Sequence, residues 1–178
     1  MADFDISIEK VLAHEGGLAE EVGDPGEITN FGWSLQLQKR INPDATANDI
    51  RNLTRDQAKA NYKTVFWLYD GIADQALADK ILDMAVQFGT PTINLLVKKL
   101  VLPNAKDSYM GPPTIDAINR RDAAELLVEL RARHAVLYTL SVLDRLLSKM
   151  GLAKNEKVTA GLTYAKQFLL GWMRRAVS

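Results

Sequence analysis

The sequence predicts a mainly α-helical protein with at most a short β-hairpin near residues 18–33. Three observations carry this. Apolar residues recur at helical spacing along most of the chain, beginning with Phe4, Ile8, Val11 and Leu12. Helix-start signals precede several of these stretches. Only residues 28–33, after the turn signal Gly23-Asp24-Pro25-Gly26, read as a short strand or half a hairpin.

Asp3 or Asp5 can cap the first helix, and Gly16-Gly17 stops it, because glycine accepts the left-handed conformation at a helix end. Leu35, Leu37 and Ile41 predict a short helix ending near Asn42-Pro43. Thr54-Arg55-Asp56-Gln57 is a capping box that opens a helix through Tyr62 to Trp67. Asp74 or its neighbours cap the next helix, with Leu77, Ile81, Met84, Ala85 and Phe88 as a core stripe. Asp83 and Gln87, four apart, share one of its faces.

Thr90-Pro91 starts a helix over 91–102. The Pro-, Gly- and Asn-rich residues 103–113 read as a loop, and as the boundary between a catalytic lobe, 1–102, and a helical C-terminal lobe, 103–178, packed as one compact unit. Asp122 starts a long helix to about Lys149 with Leu126, Leu127, Leu130, Leu137, Val142, Leu143 and Leu146 inward, and His134 as a partly buried helix residue. Asn155 caps a last helix to about Ala176, read as docked on the core with its basic side outward.

Composition narrows the chemistry. Hydrophobic residues at 47% and charged residues at 25% are ordinary for a globular chain of 178 residues. Without cysteine there are no disulfides or thiolate ligands, and two distant histidines, His14 and His134, argue against a two-histidine zinc site and a Ser-His-Asp triad. No apolar run has the length of a membrane span. The N-terminus lacks the basic and apolar regions of a signal peptide, so the expectation is a soluble protein made in the cytoplasm. Charge is lopsided: residues 1–30 hold eight acids against Lys10, and residues 131–178 hold nine Lys and Arg against Asp144 and Glu156. A basic half suits an anionic polymer, but two oppositely charged solvated faces are the simpler account of the charge alone. The basic residues are not interleaved with aromatics in a nucleic-acid reading motif, so no nucleic-acid partner is expected.

Glu15 is seven residues after Ile8, which places it on the inward face at the C-terminal end of the first helix. Desolvation and the nearby helix carbonyls should both raise its pKa and keep it protonated, as a general acid requires. The alternative is a helix-end glutamate in solvent. Polar groups then concentrate in the following loop: Asp24, Glu27, Thr29 and Asn30, with Phe31 and Trp33. A loop that doubles back can set Asp24 across a cleft from Glu15. Glycosidic hydrolysis needs such an arrangement, with a proton donor on one side and a carboxylate or held water on the other, because the sugar becomes transiently cationic.

Glu15-Gly16-Gly17 followed by Asp24-Pro25-Gly26-x-x-Thr29-Asn30-Phe31-Gly32 resembles the signature of the glycoside hydrolase family 108 muramidases, lysozyme-like enzymes of phages and bacteria often used as endolysins. Four further segments resemble the family in order: Ala58-x-x-x-Tyr62 with Phe66-Trp67; Asp83-Met84-Ala85-Val86-Gln87-Phe88-Gly89; Asp107 with Gly111-Pro112-Pro113-Thr114; and Phe168-x-x-Gly171-Trp172. Three positions depart from its pattern. Glu27 stands for a glycine, Gln87 for an asparagine, and Asp107-Ser108-Tyr109 for Asp-Gly-x.

The resemblance implies a lysozyme-like helical fold and cleavage of the β-1,4 bond between N-acetylmuramic acid and N-acetylglucosamine in peptidoglycan. Glu15 would protonate the leaving oxygen. Asp24 and Thr29 would stabilise the cation or position a water. Asn30, Phe31, Trp33, Tyr62, Trp67 and Gln87 would bind sugar, although Tyr62 and Trp67 read equally as core. No metal or cofactor is implied. The expected partner is the peptidoglycan glycan strand, met by a monomer that does not insert stably in the membrane. It would act in the periplasm after holin-type release, and residues 103–178 would be the family's predicted peptidoglycan-binding half. A lytic transglycosylase using one Glu, and a cell-wall-binding module with an idle acid, are the rival functions.

Overall fold

The computed structural model describes residues 1–14, 17–20 and 28–149. The chain divides into two compact units, Met1–Thr90 and Pro91–Ser178. The division falls where the helix Thr90–Val101 begins, so that helix opens the second unit instead of closing the first.

The first unit is built on helix α1 (Phe4–His14). Its Phe4, Ile8, Val11 and Leu12 are all buried, as their spacing predicts. Asp3 Oδ1 accepts the Asp5 N–H at 2.7 Å and so satisfies one of the helix's first donors. A two-stranded antiparallel hairpin follows, β1 (Thr29–Asn30) and β2 (Trp33–Ser34). Helix α2 (Leu35–Ile41) starts directly from it, with the Ser34 hydroxyl accepting the Leu37 N–H at 3.1 Å. A short α3 (Ala47–Arg51) and then α4 (Arg55–Phe66) complete the polar side of this unit. The predicted capping box is present at α4: Gln57 N–H donates to the Thr54 hydroxyl and Thr54 N–H to Gln57 Oε1.

Helix α5 (Gln75–Phe88) is capped by Asp74 and buries Leu77, Ile81, Met84 and Ala85. It is tied to α1 through a polar knot. The Asp79 carboxylate accepts from Ser7 Oγ at 2.6 Å, from Gln75 Nε2 at 2.7 Å and from Lys10 Nζ. Burial pushes the Asp79 carboxyl up, but those three hydrogen bonds and the Lys10 charge outweigh it and hold the group below the usual carboxylate range. Glu9 likewise joins α1 to α4. Hydrogen bonds from Arg55, then Lys59, lower its carboxyl to about 2.

The second unit contains α6 (Thr90–Val101), α7 (Pro112–Asn119) and α8 (Ala123–Lys149). Pro112 and Pro113, read from sequence as loop, are the first two residues of α7, where a missing N–H costs nothing. Asp122 caps α8 by accepting the Glu125 N–H at 2.9 Å. Leu126 and Leu130 are fully buried and His134 nearly so, its ring stacked on Tyr138 at 4.5 Å. Val142 and Leu146, expected inward, are half exposed. Helical spacing fixes which residues share a face, but not how far along the helix that face stays covered. The expected helix 155–176 lies outside the described residues. Among the described residues, no helix is long and apolar enough to cross a membrane.

Candidate active site

The hairpin is the rigid part of the candidate site. Asn30 and Trp33 pair across it, which leaves Phe31 and Gly32 as a two-residue turn. Both have positive φ, 53° and 71°, the combination that a tight hairpin turn of the right twist requires. Glycine adopts it freely, whereas Phe31 does so against steric strain. The Tyr62 hydroxyl donates to the Phe31 carbonyl at 3.2 Å from α4 and holds the strained residue in place. The outer side of β1 is also paired. Thr29 and Ala19 exchange backbone hydrogen bonds of 2.8 and 2.9 Å. Ala19 and Thr29 are therefore adjacent in space. Glu20, next to Ala19 in sequence, is paired with Arg51 of α3.

Of the predicted catalytic residues, Glu15 and Asp24 lie outside the described residues, as does Glu27. Glu15 directly follows the last residue of α1. Thr29 is half-buried in β1 with its backbone committed to Ala19.

The predicted sugar-binding residues fall into two groups. Asn30, Trp33, Tyr62 and Trp67 are interior residues. Trp33 and Tyr62 are 0% exposed, meet edge to face at 5.0 Å, and so present no ring face to a sugar. Trp33 Nε1 donates to Gln38 Oε1 at 2.7 Å. Trp67 packs on Phe4 and Tyr69 and donates to Asp70 Oδ1. Asn30 Nδ2 donates to the Ile50 and Leu53 carbonyls at 3.1 and 3.3 Å, tying the hairpin to the α3–α4 connection. These four hold the frame because aromatic and amide side chains find more burial and more partners inside it than at its edge. Phe31 and Gln87 remain at least partly accessible. Gln87 is exposed on α5, and its Nε2 donates to Asp83 Oδ1 at 2.7 Å on the face predicted for both.

The structure also shows a polar cleft of about 320 Å³ between α2, α3 and α4 that the sequence reading did not single out. Six carboxamides line it: Gln38 and Asn42, Asn48 and Asn52, Gln57 and Asn61. Each helix contributes one pair four residues apart, with Asn42 and Asn52 at the C-caps of α2 and α3, the spacing that puts two side chains on one face. That periodic amide pattern is the signal available in the sequence. Asp49 also lines the cleft, and hydrogen bonds from the Thr46 backbone and hydroxyl hold its carboxyl below the usual range. Among the described residues, no group of three or more His, Asp or Glu is placed to hold a metal ion.

Residues 8–89 match the family model described as glycosyl hydrolase 108. The span runs from within α1 through the hairpin and cleft to the end of α5. Among solved structures, SagA of Brucella abortus is similar in fold, with a TM-score of 0.66 at 19% identity over 96% of this chain and 95% of that one. Comparison with curated proteins finds no match.

Proposed function

We infer, from the glycosyl hydrolase 108 domain that residues 8–89 form, that this chain hydrolyses the glycan of peptidoglycan as an N-acetylmuramidase. The domain makes the chain a glycoside hydrolase on a mainly helical, lysozyme-like fold with a two-stranded hairpin. Family and fold together support peptidoglycan as the polymer attacked. The bond, the acid and the order of steps are our proposal.

The observations that support it are the end of α1 immediately before Glu15 and the backbone pairing of Ala19 with Thr29, the described residues that flank Asp24 in sequence. Glu15 is proposed to protonate the glycosidic oxygen between N-acetylmuramic acid and N-acetylglucosamine. Asp24 and Thr29, five residues further along the sequence, are proposed to stabilise the oxocarbenium-like cation or hold the attacking water. The strained Phe31–Gly32 turn supports this reading, since such strain is commonly kept where a backbone must be held for function. We further propose that the protein is made in the cytoplasm and reaches the wall with help from a membrane-permeabilising partner.

Digestion of purified peptidoglycan followed by mass spectrometry of the fragments tests the reaction. Fragments ending in reducing N-acetylmuramic acid are expected. Anhydro-muramic ends would replace hydrolysis by transglycosylation, and intact glycan would leave a binding module.

A further inference from the structure

We propose that the amide-lined cleft between α2, α3 and α4 is a binding site for N-acetylhexosamine units of a glycan, in the first instance N-acetylglucosamine. The choice of sugar rests on the glycan-hydrolase reading above, while the site itself rests on its geometry.

Each of the six carboxamides commits one end to the protein. Gln38 Oε1 accepts from Trp33 and from Asn61 Nδ2. Asn42 Oδ1 accepts the Asp44 N–H, Asn48 Oδ1 accepts from Arg51, and Gln57 Oε1 accepts the Thr54 N–H. Asn52 Nδ2 donates to the Asn48 carbonyl. The opposite end of each has no hydrogen-bond partner among the described residues, and all six side chains line the cleft. Four amino groups (Gln38, Asn42, Asn48 and Gln57) and two carbonyls (Asn52 and Asn61) thus keep bonding capacity unspent at the cleft.

A ligand that satisfies such a lining must carry donors and acceptors close together and no net charge. Sugar hydroxyls do both, and an acetamido group offers one N–H and one C=O side by side. At the floor, Gln38 Nε2 and Asn61 Oδ1 present the complementary donor and acceptor from two bonded, half-buried residues. The one ionised side chain lining the cleft, Asp49, repels phosphates and the carboxylates of a peptide stem. Buried Leu53 supplies an apolar patch for a pyranose face or acetyl methyl. The volume is at the lower end of small-molecule pockets, suited to a short saccharide. The hydrogen bond that each amide already makes reduces the side-chain freedom lost on binding. The cleft also shares its frame with the hairpin, through Trp33 to Gln38 and Asn30 to Leu53.

The test is a titration of the full chain with tri-N-acetylchitotriose, read by NMR on the side-chain NH2 groups. Signals of Gln38, Asn42, Asn48 and Gln57 are expected to shift together. The triple variant Asn42→Asp, Asn48→Asp, Gln57→Glu keeps every acceptor that the fold uses and removes three donors from the cleft. It should melt at the wild-type temperature and bind about tenfold or more weakly. A charge-matched control at exposed positions that do not line the cleft, Gln36→Glu, Thr92→Glu, Asn104→Asp, should bind as wild type. Unshifted amides, undiminished binding by the triple variant, or an equal response to cellotriose, which lacks acetamido groups, would overturn the proposal. Muropeptide release without any shift in these amides would remove the cleft and leave the hydrolase. Shifts in a chain that releases nothing would uphold the cleft and remove the hydrolase.

Discussion

Replacing Trp33 by Phe separates a frame residue from a sugar platform. The indole is fully buried, edge to face with Tyr62 at 5.0 Å and with Phe66 at 6.3 Å. Phenylalanine keeps most of those contacts but loses part of the ring and the N–H donated to Gln38 at 2.7 Å. The lost hydrogen bond contributes about 0.5–1.5 kcal/mol. The void left by a smaller ring adds roughly 1–2 kcal/mol, less than a full truncation to alanine. The sum is about 1.5–3.5 kcal/mol, or a melting temperature lower by roughly 3–14 °C for a chain of this size. Calorimetry measures that shift, and steady-state wall digestion of the folded fraction measures the rest. Because the ring does not reach the surface and Gln38 Oε1 still accepts from Asn61 Nδ2, KM should stay within about twofold of wild type, the change expected when no uniform binding contact is removed. An unchanged melting temperature with a strongly raised KM would refute the interior placement and return Trp33 to the substrate.

Three further predictions probe the frame. Asn30→Leu should destabilise by about 1–3 kcal/mol, because the Ile50 and Leu53 carbonyls lose their donor; urea unfolding measures it, and an unchanged midpoint would mean the hairpin is held otherwise. Gly89, at φ 85° with open space around its Cα, ends α5, so Gly89→Ala should cost about 1 kcal/mol from backbone strain alone. Glu9 is lowered in the folded state, so its contribution is present above the unfolded value of 4.5 and fades as pH falls through about 2. The melting temperature should therefore drop over that acid window, and Glu9→Gln should flatten the drop. An unaltered profile would show that the Arg55 and Lys59 pairings do not persist in solution.

The parts of the fold legible in the sequence are those set by local chemistry. The buried face of α1, the Thr54–Gln57 capping box and the Asp74 cap each depend on residues within a turn or two of one another. α3 was not legible, since five residues carry no periodicity and it is held by Asp49 Oδ2 accepting from Thr46. Outward-facing Val142 and Leu146 show the limit of periodicity, because burial depends on what another segment brings to the face. The aromatics were ambiguous for the same reason. Trp33 and Trp67 have a composition that suits a sugar site, and only tertiary contacts show them to be interior. Half of the cleft's logic was readable, as amide pairs at 38 and 42, 48 and 52, 57 and 61. That the three pairs face one another required α2, α3 and α4 to be placed.

Glu15→Gln tests the central claim most directly. The amide is close in size and cannot donate the proton. The variant should fold with the wild-type melting temperature and still sediment with purified peptidoglycan, while muropeptide release falls by about a hundredfold to ten-thousandfold, the usual contribution of a general acid. Release near the wild-type rate would contradict the account, because the glycosidic oxygen would then receive its proton from another group.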